Sequence, residues 1–159
     1  MPAIIEDGQG LTNANVYQDP ADVALWLQER SKEAFVSLDD TRRLSVLIQA
    51  TEAIESVLAR SIGGVVRQLG QARLFPRRGC YIGSRCAALD EVPNALNEAI
   101  AYFAEALADP EIEVRPAGVT SYSGGGVSIT WKDNAGGLAE FCPDAYLKVQ
   151  VLLNRRTRR

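Results

Sequence analysis

Arg67, Arg73, Arg77, Arg78 and Arg85 lie close together in this chain, with Phe75 interleaved among them. Planar guanidinium groups recognise phosphate oxygens, and an aromatic ring among them can stack on a base. The same arginines can instead pair with acids of their own or a neighbouring subunit. A net charge of −3 and a single interleaved aromatic favour the pairing role. Other chemistry finds little support. The chain has no histidine, which removes the commonest general base and the usual activator of a Ser or Cys nucleophile. Its three cysteines, Cys80, Cys86 and Cys142, are odd in number and lack zinc-ligand spacing, so free thiols are expected. Cys80 stands in the arginine-rich stretch, where nearby positive charge lowers a thiol pKa. The carboxylates are scattered. We therefore expect no catalytic, cofactor-binding or metal-ligating residue, no cofactor, and no enzyme.

Charge is unevenly placed. Arg155, Arg156, Arg158 and Arg159 close the chain, and without these four charges the remaining −3 becomes −7. A basic tail on an acidic body reads as an arm that reaches for something negative. The opening residues carry Glu6 and Asp7 instead of a basic-then-apolar leader, and no apolar run is long enough to cross a bilayer. A cytosolic origin and no membrane contact are expected.

The elements that must position these residues are mostly helical. Residues 38–60 form the dominant one. Asp39 or Asp40 caps its start, and Leu44, Leu47, Ile48, Thr51, Ile54, Val57 and Leu58 recur at helical spacing. About 18–20 residues make a rod of ~30 Å. Asp19-Pro20 opens an earlier helix with Val23, Trp26 and Leu27 on its apolar face. Val92-Pro93 opens another, whose Ala95, Leu96, Ala99, Ile100, Phe103, Ala104 and Leu107 suit close packing on the long helix. Pro143 opens the last, apolar on more than one side. Residues 64–90 read as loop. Residues 112–122 and 127–132 read as a β-hairpin around the glycine tip 123–126, and a lone hairpin must pack on something. The expected fold is mainly α: a small bundle of about four helices with a β-hairpin and extended termini. One domain spans residues 1–159, with an N-terminal arm at 1–18 pinned by Val16 and Tyr17 and a basic tail at 154–159.

Several stretches, in order, resemble one phage protein family. They are Ile5-Glu6-Asp7-Gly8 with Asn13-Ala14-Asn15-Val16-Tyr17, then Leu47-Ile48-Gln49-Ala50-Thr51, then Gln71-Ala72-Arg73-Leu74-Phe75-Pro76-Arg77-Arg78-Gly79, then Val92-Pro93. Phe75 stands where the family usually has Trp, and Arg73 where it has an apolar residue. The agreement covers roughly the first two thirds of the chain. This family is labelled DnaT-like single-stranded DNA-binding proteins, and its members are also similar to tailed-phage head–tail connectors, called adaptor or head-completion proteins. That second likeness implies a structural virion protein, made in the host cytoplasm and placed in the head–tail neck. It would form a ring of about twelve copies under the portal, closed by head-to-tail contacts. Its partners would be itself, the portal protein, a stopper or tail-completion protein, and genomic DNA passing without sequence-specific binding. Candidate portal-docking residues are Leu152, Leu153, Arg155, Arg156, Arg158 and Arg159. Candidate subunit-interface or phosphate contacts are Arg73, Phe75, Arg77, Arg78 and Trp131. The alternative function is single-stranded DNA binding, which the arginine cluster and tail support and the acidic body opposes.

Overall fold

Helix caps read from the sequence are in place in the computed structural model, which describes residues 2–59, 61–109, 121–124, 127–130 and 138–153. Asp19 caps α1 (Pro20–Gln28) by accepting a bond from the Ala21 N–H at 2.8 Å, and Pro20 occupies the first turn. Asp39 caps α2 (Asp40–Leu58) through the Arg42 N–H at 3.0 Å. Strands β1 (Val65–Val66), β2 (Arg77–Arg78), β3 (Tyr81–Ile82) and β4 (Arg85–Cys86) follow. Then come α3 (Asn94–Ala108), β5 (Ser121–Gly124), β6 (Val127–Thr130), a single turn α4 (Leu138–Phe141) and α5 (Pro143–Leu153). The chain is thus mainly helical, with small antiparallel pairs β1–β2, β3–β4 and β5–β6. A hairpin stands where one was expected, β5–β6, paired from Ser121 with Thr130 to Gly124 with Val127, so that Ser123 and Gly124, expected at the tip, belong to β5; residues 112–120, 125, 126, 131 and 132 of the expected hairpin lie outside the described residues.

The centre of the bundle is α3, which packs on α1, α2 and α5. Its buried face is Leu96, Ala99, Ile100, Ala101, Ala104 and Ala106, and these small residues let neighbouring helices approach closely. The long helix α2 buries Leu47, Ala50, Thr51, Ile54 and Leu58 against it. Each fully buried Leu or Ile contributes about 1.5–3 kcal/mol. Val57, expected on that face, is 41% exposed. From α5, Ala145, Val149 and Leu152 turn inward, while Tyr146, Leu147 and Val151 stay exposed. Phe103 meets Phe141 and Trp26 meets Tyr102, each with ring centroids 5.1 Å apart.

Polar contacts fix the connections. The Glu105 carboxylate on α3 accepts from the Ala34 and Phe35 N–H groups and holds the turn that buries Phe35. Glu6, 2% exposed, gathers the N–H groups of Gly8, Gly10 and Leu11 at 3.0, 2.8 and 2.7 Å. Gly8 takes φ +90 there, and a Cβ would run into the Asp90 carbonyl, so only glycine fits. Val16, fully buried, pairs with Ile5 and pins the N-terminal arm.

Candidate nucleic-acid interface

The arginines near Phe75 are mostly committed inside the protein. Arg67 donates to the Gly8 carbonyl and to Gln9 Oε1. Arg77 fans across three carbonyls: Gly63 at 2.9 Å, Gly64 at 2.7 Å and Leu74 at 3.3 Å. Arg85 is bidentate on Glu91, which also accepts from the Ala88 N–H. Hydrogen bonding to Arg85 is the main cause that lowers the Glu91 pKa, and the same bond raises that of Arg85. Phe75 is fully buried, so its ring offers no face to a base or to another subunit. Arg78 alone of these arginines is exposed with a side chain that has no hydrogen bond or ion pair among the described residues.

Glu55, on α2, organises the buried end of this stretch. Its Oε1 accepts from the Tyr17 hydroxyl at 2.5 Å and from the Leu74 N–H at 2.6 Å. Arg73 Nη1 lies 3.4 Å from Oε2, and both side chains are only about 15% exposed. The Tyr17 oxygen accepts in turn from the Phe75 N–H at 2.9 Å. Burial, and then the Glu55 charge, push the Tyr17 hydroxyl far above the ordinary phenol range. Arg73 and Phe75 therefore lock residues 73–75 onto α2 and are not a contact surface.

Beyond this lock the chain turns outward. Val65 pairs with Arg78 and Val66 with Arg77 in β1–β2; Tyr81 pairs with Cys86 in β3–β4. Directly opposite residues of an antiparallel pair project on the same face. Val65 and Arg78 are both exposed, as are Tyr81 (54%) and Cys86. Leu69, fully exposed, and Leu89 are further exposed apolar side chains of this stretch. Residues 64–90 were expected to be loop. The signal for β3–β4 was present as Tyr-Ile-Gly-Ser-Arg-Cys, a two-residue Gly-Ser turn between short runs. Tyr81 was the aromatic that the sequence reading passed over.

The remaining candidates divide between buried positions and undescribed ones. Leu152 is 4% exposed and belongs to the core, so it is not available for docking; Leu153 is half-buried. Arg155, Arg156, Arg158, Arg159 and Trp131 lie outside the described residues. Cys80 and Cys142 are buried free thiols, and desolvation raises the pKa of both. For Cys80 this reverses the expected lowering: burial outweighs the Arg77 charge.

No curated protein and no solved structure matches the chain. A family model matches residues 1–157, and its description is single-stranded DNA binding with nothing of head–tail joining. That overturns the expectation of a structural adaptor, with its portal-bound ring of about twelve copies, its stopper or tail-completion partner and its passively conducted genome. With residues 1–157 matched, the chain belongs to the family described as "Putative DnaT-like ssDNA binding protein".

Proposed function

We propose that this protein binds single-stranded DNA without sequence specificity, as a binding protein rather than an enzyme. The carrying observation is the family match, which spans nearly the whole chain. The surface of β1–β4 supports the reading, because it places an uncommitted cation, Arg78, among exposed apolar and aromatic side chains. Strand binding without sequence preference uses that combination: charge for the backbone, aromatic faces for the bases. The net charge of −3 limits the electrostatic share, so affinity rests on few phosphate contacts.

Fluorescence anisotropy of a labelled oligonucleotide against rising protein, repeated across salt, tests the reading. Binding at low salt that weakens as salt rises is expected, because bound cations release counterions. No anisotropy change at low salt would overturn it.

A further inference from the structure

We propose that the β3–β4 hairpin is a base-stacking site, with Tyr81 as the platform, Arg78 as its phosphate contact and Cys86 beneath the bound strand. This deepens the single-stranded DNA reading and rests on it.

Five observations converge on the same few residues. Tyr81 is 54% exposed although it is a large ring in a protein that buries Phe35 and Phe75 completely. A phenol ring left half in water on a short hairpin offers a flat apolar face with no intramolecular partner ring among the described residues. Arg78 precedes Tyr81 by three residues, so their Cα atoms are at most roughly 10 Å apart. The other arginines of the stretch are held by carbonyls or carboxylates, which leaves Arg78 to supply the charge. The hairpin is also anchored, because the Gly83 N–H donates to the Val151 carbonyl of α5 at 3.2 Å, and its ladder is extended by the Ala87 N–H on the Cys80 carbonyl at 2.8 Å. A platform fixed in this way loses little side-chain and loop freedom on binding.

An unpaired base is the occupant that fits this chemistry. Every base presents a π-face to a ring, so stacking tolerates any sequence. In a duplex those faces are already covered by neighbouring pairs, so the site selects single strands. The register supplies a reporter: Cys86 lies directly across from Tyr81 and shares its face, and it is exposed while Cys80 and Cys142 are buried.

The experiment pairs anisotropy with alkylation of the full-length protein by iodoacetamide, using oligo(dT) and a duplex of equal length. Oligo(dT) is expected to slow Cys86 modification several-fold, and the duplex to leave it unchanged. Tyr81→Ala should weaken oligo(dT) binding roughly 5- to 100-fold, the loss of one base–aromatic stack, with the salt slope unchanged. Tyr81→Phe should restore binding. Arg78→Gln should instead reduce the slope of log K against log salt by about 0.7, one phosphate contact on a single strand. If wild-type protein binds oligo(dT) while Tyr81→Ala binds as tightly and Cys86 reacts at its free rate, the hairpin is not the site. Protection of Cys86 that rises with protein concentration and ignores DNA assigns the face to a second copy and overturns the proposal. Failure of wild-type protein to bind DNA at all removes the underlying function itself, a distinguishable result.

Discussion

Tyr17 shows how a single hydroxyl can hold two distant parts of the chain. It donates to Glu55 and accepts from the Phe75 N–H, bridging the end of the N-terminal arm, α2 and the 73–75 segment. Tyr17→Phe would strand a buried N–H and remove a donor from a carboxylate only about 15% exposed. The expected cost is about 2–3 kcal/mol, measured by urea unfolding. The pH dependence has a definite sign. The folded-state pKa of Tyr17 lies above its unfolded value, so its contribution is fully present below about pH 10 and is lost as pH rises further. Wild type should therefore lose more stability than Tyr17→Phe between about pH 9 and 11. Equal losses would show that the hydroxyl is not protected as its surroundings imply. At this scale the sequence was partly legible. It marked residues 73–79 as arginine-rich, but the partners of Arg73 and Arg77 are a carboxylate on α2 and carbonyls of Gly63 and Gly64. Backbone carbonyls leave no trace in residue type, so a cation satisfied by them looks free until the fold is known.

Among the elements, the helices were readable because their signals are local. Asp19-Pro20, Asp39 and Pro143 mark starts whatever the rest of the chain does. The organising role passed from α2 to α3, since length is visible in sequence and centrality is not. The β1–β2 pair was not readable: each strand is two residues long, one of them Arg-Arg, and their pairing joins positions more than ten residues apart. Propensity says little over two residues, and a non-local contact decides. One prediction belongs to the β3–β4 hairpin. Glu91 neutralises Arg85 there, so Glu91→Gln should release a second cation on the hairpin, on the Ile82 face across from Tyr81, while keeping an acceptor for the Ala88 N–H. The expected result is tighter oligonucleotide binding at low salt and a salt slope steeper by about 0.7. An unchanged slope would mean that Arg85 lies off the path of the strand. In wild type the Arg85 hydrogen bond lowers the Glu91 pKa, so the carboxylate stays charged through the ordinary carboxylate range and the pair opens only as pH falls below that range.

For the whole molecule, the question is how an acidic protein would hold a polyanion. Arg78 alone would give a slope of about −0.7, roughly a threefold loss of affinity between 50 and 200 mM salt. If the four terminal arginines also engage the strand, the slope approaches about −3.5 and the loss roughly 100-fold. Deleting residues 154–159 and measuring both salts separates these cases. We expect the shortened chain to fall to the shallow slope, with Cys86 still protected by oligo(dT). A steep slope surviving the deletion would place the phosphate contacts elsewhere on the body. Charge asymmetry was plain in the sequence; which face carried the uncommitted arginine was not, because that required knowing which charges the fold consumes.

The bond from the Gly83 amide to the Val151 carbonyl has a consequence for motion. Val151 lies in the final turn of α5, where helical carbonyls lack partners of their own, and the hairpin tip supplies one. Opening of either the hairpin tip or the helix end breaks this bond. The solvent exchange of a single amide proton, that of Gly83, would time their separation. A strand resting on Tyr81 would slow that exchange although it never touches the helix.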